Sequence, residues 1–508
     1  TFDYLQQHIT DSQMARIPLG VPEVSLLKTP EFAKLLRPHQ MPNVPLLDGS
    51  LWDPAGPNGF VSHREASLPG WGPFFRGPNP GCEALQHLAE MIPTFCYTYP
   101  GLEHMEDHRG FYHPFVAKCD ARKETLLELI KPREGGTIAE NMEVVDLERT
   151  WVLVSFVVSA YRSSNRAAKP FVCPVSGASG AGSGPCPAKG KHGHAESIRK
   201  IALGLLPIWL ADLVRHFEEL VGREWHGTPE ACELVLNNWK VDPKDLEDVE
   251  DFVLSRETVH LVRPIARFIA TPDEEWYRKF QLVLEVEGGR AVSNAHSSIT
   301  PAISSRDNGA VIAALNQLAV DMDSLSEFQT KQFDQKDSRG EEILMQRLRP
   351  FLGEDLSDED YAVWVYTGGS SPLLPAMHAI LGLRKLDGIS GPLQEHWLMQ
   401  GRHCMPQSHR NFLQSLELGV SVRAYCLREW RKAPVERIAA LEDAFNNCIE
   451  SLLKYCSLRQ RLVSRMFPDV SRIRRLSAEQ ELVIRSGRLV LLQMRRVADS
   501  QRMLLKPA

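Results

Sequence analysis

The sequence predicts a mainly α-helical protein in which a large all-α unit follows a smaller, mixed or loop-rich N-terminal one. Three observations carry this. Beyond Trp151 apolar residues recur at helical spacing over long stretches, the pattern of amphipathic helices packed in a bundle. Before about residue 148 the runs Pro69-Gly70-Trp71-Gly72-Pro73 and Gly77-Pro78-Asn79-Pro80-Gly81 break helices and strands alike, leaving room only for short elements. The 508 residues also exceed the ~100–200 of one ordinary domain, so two units are expected, 1–148 and 149–508.

Taken in order, the most apolar run spans residues 151–161 between Arg149 and Arg162. It covers about half of the ~20 residues a membrane-spanning helix needs, and reads as a core helix. A Gly/Ser-rich insertion follows at about 173–195, where residues 176–184 bury too little apolar surface to offset their ordering entropy; a loop is expected. Ile198, Ile201, Leu205, Ile208, Leu213 and Phe217 then keep a helical stripe with a break or kink at Pro207. Further helices are expected over 276–286, 310–328, 341–348, 375–383, 409–416, 435–459 and 479–505. The last, apolar among many arginines, reads equally as a partner-binding or self-associating helix.

Composition narrows the function classes. With 24% charged and 43% hydrophobic residues the chain is neither disordered nor fibrous. A formal net charge of −6 gives no broad positive field for phosphate backbones or anionic lipid, which argues against nucleic acid and membrane partners. The ten cysteines are scattered without regular spacing, as reduced thiols of a cytoplasmic protein would be. The chain opens Thr1-Phe2-Asp3-Tyr4 with no basic segment leading into an apolar one, so no secretory signal is read; without an initiating Met, an upstream segment is possible.

One histidine stands out. In Met405-Pro406-Gln407-Ser408-His409-Arg410-Asn411-Phe412-Leu413-Gln414-Ser415-Leu416, Pro406 marks a helix start. His409, Phe412, Leu413 and Leu416 then share one face, directing the imidazole into the core. Such a ring is either a core histidine bonded to backbone or water, or a metal ligand. Spacing alone favours the first.

Met405-Pro406-x-x-His409-Arg410-x-Phe412-Leu413-x-x-Leu416 nevertheless resembles the motif in which indoleamine 2,3-dioxygenases place the proximal haem ligand. Three more segments are similar to that family in its order. Ala231, Leu234 and Val235, before Asn237-Asn238-Trp239-Lys240, correspond to walls of the substrate pocket. Leu348-Arg349-Pro350-Phe351-Leu352 resembles the segment whose arginine grips the substrate carboxylate, a task suited to a planar two-pronged donor. Tyr366-Thr367-Gly368-Gly369-Ser370-Ser371 resembles the loop at the haem edge, where Gly369 permits close backbone approach and Ser370 can donate a hydrogen bond.

Departures from the family cluster on the substrate side. Tyr277 takes the place of an aromatic over the haem, and Gln281 that of a small distal residue, often Ser. Leu344 and Met345 replace an aromatic pair before the arginine. Ser371-Pro372-Leu373-Leu374-Pro375 stiffens the loop after Ser370, and Arg459 stands about where family members have a histidine. Cys173, Cys186, His192 and His194 flank or follow the insertion; they include zinc-ligand types, and the Cys-Pro pairs a thiolate for ferric haem, but an exposed linker is the expected reading because no tight Cys-x-x-Cys turn is present.

The resemblance implies haem b held by His409, dioxygen and a small indole as substrates, and a reductant to keep the iron ferrous. The implied reaction is insertion of dioxygen across the indole C2–C3 bond of tryptophan or a related indole, giving an N-formylkynurenine-type product. It requires no acid–base residue. A relative oxygenating another aromatic or indole-derived metabolite, and a catalytically silent haem-binding regulator, are the alternatives.

Overall fold

A computed structural model describes residues 79–98, 114–166, 202–241, 252–269, 271–334, 371–383, 401–419, 421–430 and 432–466, with single positions at 245, 348, 484, 485, 488 and 489. Helices dominate: α1 (Pro80–Thr98), α2 (Pro114–Asp120), α3 (Lys123–Leu127), α4 (Val144–Arg166), α5 (Ile208–Val221), α6 (Pro272–Ser305), α7 (Asn308–Asp334), α8 (Leu373–Leu381), α9 (Gln407–Leu418), α10 (Val422–Glu429) and α11 (Val435–Met466). The strands described are β1 (Lys240–Val241) and β2 (Val262–Arg263), an antiparallel pair in which Lys240 faces Arg263 and Val241 faces Val262.

Helix α6 is the axis of the arrangement. Thr271 starts it by accepting a hydrogen bond from the Glu274 N–H, Pro272 occupies the first turn, and Asp273, Glu274 and Glu275 complement the helix dipole there. Most of its residues from Tyr277 to Val292 are buried, so it is covered on several sides. It packs against α7, α8 and α10, and α7 in turn packs along α11. Gly288 makes the α8 contact possible: a Cβ there would lie 2.6 Å from Leu373 Cδ1. Gly382 ends α8 in the left-handed region at φ 70°.

The apolar run 151–161 lies inside α4 and is buried throughout. Pro207 precedes the first residue of α5, the break expected from its fixed φ and missing N–H. The expected unit boundary at 148/149 falls within α4, on which α1 and α2 pack, and the described residues before it combine α1, α2 and α3 with an irregular stretch over 128–138. Cys82, Leu85 and Leu88 of α1 share one buried apolar cluster with residues as distant as Tyr455 and Leu489. Of the expected helix 479–505, Ile484 and Leu489 are buried in that cluster, and the Asn446 side chain bonds both the N–H and the carbonyl of Leu489. The 173–195 insertion and most of the 341–348 helix lie outside the described residues. Among the described residues no helix is long and apolar enough to cross a membrane, and none of the described cysteines forms a disulfide.

Candidate functional site

His409 sits in the first turn of α9, behind Pro406. Its ring is fully buried, as are Leu413 and Leu416 one and two turns on. Phe412, on the same face, meets His296 of α6 edge-on at 6.0 Å, so the histidine's helix reaches the central one. Helix α8 packs on both α6 and α9, which sets all three around the same region.

On α6 itself Tyr277, Gln281 and Glu285 recur at i, i+4 and i+8, and all three are buried. Arg459 reaches this row from α11, donating to Gln281 Oε1 at 3.3 Å and to the Tyr455 hydroxyl at 2.9 Å. A guanidinium only donates, so it fixes the amide of Gln281 with its oxygen towards Arg459 and leaves the Nε2 hydrogens for another acceptor. Glu285 accepts from the Ser371 hydroxyl at 2.6 Å, tying the segment that follows Ser370 to α6. Burial pushes the Glu285 carboxyl up, against the pull of Arg459 and Ser371. Burial likewise pushes the Tyr277 phenol up to about 12, opposed by Arg459 and Arg278.

Ala231, Leu234 and Val235 belong to a π-helical turn, Cys232–Leu236, and its approach; Ala231 and Leu234 are buried and Val235 partly so. The turn is fastened on two sides. Arg278 of α6 donates to the Leu234 carbonyl at 2.9 Å and to Glu274 at 2.7 Å. Asn238 pairs with the Ala266 backbone through both ends of its amide, at 2.9 and 2.8 Å. Trp239 anchors the small cluster beneath the β1–β2 pair with Leu254, Val262, Leu282 and Val286. The Asn-Trp segment therefore holds the turn in place.

A buried charge network braces the same turn from below. Arg223 makes two parallel hydrogen bonds to Glu148 of α4, at 2.7 and 2.6 Å, and a third at 3.3 Å to Glu233, which also accepts from the Trp151 indole. Beside it lie His226, Glu230 and Cys404, all buried.

Of the residues singled out in the sequence, His409, Tyr277, Gln281, Ala231, Leu234 and Val235 are described, while Arg349, Leu344, Met345, Gly369 and Ser370 lie outside the described residues, as do Cys173, Cys186, His192 and His194. Sequence reasoning missed Glu285, although its spacing from Tyr277 and Gln281 marks it. It also missed that Arg459 bonds Gln281, and that His226, Glu230 and Cys404 meet; the last two pairings join segments 178 residues apart and have no local signal.

Comparison with known proteins gives one family match. A comparison with curated proteins finds none that matches the chain. The family model described as indoleamine 2,3-dioxygenase matches residues 231–480. That stretch begins at the π-helical turn and contains the α6 row, His409 and Arg459. The family is all-α and haem-dependent and acts with dioxygen on small indoles, in keeping with the helical architecture seen here. Residues 231–480 of this chain therefore match the indoleamine 2,3-dioxygenase family, the one its motifs resemble.

Proposed function

We propose that the protein is a haem-dependent dioxygenase that opens the indole C2–C3 bond of tryptophan or a related indole, and that residues 149–508 form the haem-binding unit. The observation that carries this reading is His409. Within the matched stretch it is a fully buried imidazole on an apolar helix face, and no carboxylate from Met405 to Leu416 competes for a metal. That donor chemistry fits a proximal haem ligand, which is commonly a histidine nitrogen.

In this reading His409 would hold the haem b iron, while Gly369 and Ser370 would lie at the haem edge. The haem, when bound and ferrous, supplies the redox chemistry with dioxygen. The chain's own residues do the rest. Ala231, Leu234 and Val235 wall the indole pocket on a turn that Arg278 and Asn238 hold rigid. Tyr277 presents its ring to the indole, Leu344 and Met345 line the pocket, and Arg349 takes the substrate carboxylate in two charge-assisted hydrogen bonds. Gln281, its oxygen held by Arg459, offers its amide hydrogens to a polar group on the reacting side. No side chain is required as acid or base; positioning and exclusion of water are the protein's share.

The Gln281–Arg459 pair also supports a second reading, in which the substrate is a different aromatic or indole-derived metabolite. A large amide fixed by a buried cation narrows the site and adds polarity where the family has a small residue.

The test is reconstitution of the full chain with hemin, followed by reduction and incubation with tryptophan and oxygen. The expected result is an imidazole-type haem spectrum, its carbon monoxide form on reduction, and a kynurenine-type product. His409→Ala should lose the spectrum and the turnover together. Turnover confined to other indoles favours the second reading. Haem binding unchanged in His409→Ala overturns the ligand assignment in every reading, and a haem-loaded protein that turns over no aromatic substrate overturns the proposal and leaves a silent haem-binding regulator.

A further inference from the structure

Cys404 immediately precedes the haem-ligand motif, and it meets His226 and Glu230 from a distant part of the chain. His226 and Glu230 sit on the segment between α5 and the π-helical turn, and Cys404 ends the short 3-10 turn Gly401–Cys404 that leads into α9. One ligand-type atom from each falls within 4.8 Å of the other two, and all three residues are buried. We propose that His226 Nδ1, Glu230 Oε1 and Cys404 Sγ hold a Zn2+ ion.

The donor types suit the ion: a nitrogen, a sulfur and a carboxylate oxygen are the set zinc takes in proteins. The spacing suits it as well. Tetrahedral zinc bonds of ~2.0–2.3 Å put a nitrogen and a sulfur about 3.5 Å apart, and a nitrogen and an oxygen about 3.4 Å. Here Cys404 Sγ is 3.3 Å and Glu230 Oε1 3.8 Å from His226 Nδ1. A thiol hydrogen bond within the trio also accounts for single distances; the zinc site rests on all three donor atoms converging at one buried point.

Two further features resemble a built site. The other ring nitrogen of His226 lies 3.1 Å from Glu224 Oε2, the carboxylate–histidine pairing that orients a metal-bound imidazole and raises its basicity. The two strands of chain that supply the ligands are also fixed to each other on either side of the cluster. The Glu224 N–H donates to the His403 carbonyl at 3.1 Å, and Arg410 donates to the Gly222 carbonyl at 2.9 Å. Without a cation, burial and the carboxylates of Glu230, Glu233 and Glu224 push the Cys404 thiol up. A divalent ion reverses that balance: zinc binds the thiolate, and the Cys404 proton leaves to solvent with no change of oxidation state.

The ion would clamp the segment before the pocket-side turn to the one before the His409 helix. Its test is independent of the haem. Full-length protein expressed with zinc, reconstituted with hemin and dialysed against a weak chelator should retain about one zinc per chain by elemental analysis, as expected for a single site. His409→Ala should keep that zinc while losing haem iron. Cys404→Ser and His226→Asn should each lower zinc content at least tenfold, and Glu224→Gln should weaken affinity about 10–100-fold. Because a buried substitution can disturb folding, the wild-type apoprotein is also titrated with Co2+ alone. A thiolate-to-cobalt charge-transfer band, absent in Cys404→Ser, supports the site. No retained zinc together with no such band, or undiminished zinc in Cys404→Ser, overturns it.

Discussion

A single guanidinium shapes the polar side of the candidate pocket. Arg459 is the donor to both Tyr455 and Gln281, so its loss leaves two buried groups short of a partner. Arg459→Leu is expected to cost ~1–3 kcal/mol in urea unfolding. Arg459→Lys should recover only part, since an ammonium lacks the planar fork that spans two acceptors. Glu285, two turns along α6 from Tyr277, gives a pH dependence with a definite sign. Its folded value is raised above the ordinary 4.5, so the folded protein holds this proton more tightly than the unfolded chain. The stability it contributes is full below that value and is lost as pH rises from there through the folded value. Relative to wild type, Glu285→Gln should therefore gain stability as pH is raised across that window, read as midpoints of denaturant unfolding. A constant difference at all pH values would contradict the raised carboxyl.

At the scale of elements, the joint between α8 and α10 depends on one residue without a side chain. Gly382 turns the chain at φ 70°, and a Cβ there would stand 2.1 Å from Ser421 Oγ. Ser421 is itself the cap of α10, accepting from the Ala424 N–H. Gly382→Ala thus meets a strained backbone and a displaced cap at once, and ~1–3 kcal/mol of destabilisation is expected. Gly382→Asn, whose short polar side chain tolerates the left-handed region, should cost no less, because the Cβ collision remains. Thermal unfolding of the two variants separates strain from collision. Equal stability of wild type and Gly382→Ala would show that the joint relaxes freely.

Across the whole molecule, the buried Glu148–Arg223–Glu233 network joins α4, the end of α5 and the π-helical turn. Replacing one partner leaves charge in a dry interior, whereas replacing both with apolar residues does not. Arg223→Met should cost ~3–5 kcal/mol, and the added substitutions Glu148→Leu and Glu233→Leu should restore part of it. An additive loss across the triple variant would mean that these groups act separately. Because the network carries the turn bearing Leu234 and Val235, the proposed substrate pocket is the place where its loss should be felt first, as a raised KM.

The helical class, the position of His409 on an apolar helix face and the turn before Asn237-Asn238-Trp239 were legible in the amino-acid order, because each is written in local spacing of 3 or 4 residues or in a short motif. Pro207 and Pro406 likewise declare their helix starts through fixed φ, whereas the helix expected over 276–286 runs from Pro272 to Ser305. Tertiary structure alone decided which distant side chains share a site. Arg459 meets Gln281, Arg223 meets Glu148 and Cys404 meets His226 across 75 to 178 residues of chain. The physical reason is range: backbone hydrogen bonds and helical periodicity act within a turn or two, while buried charges and ligand atoms find their partners only after the helices have packed.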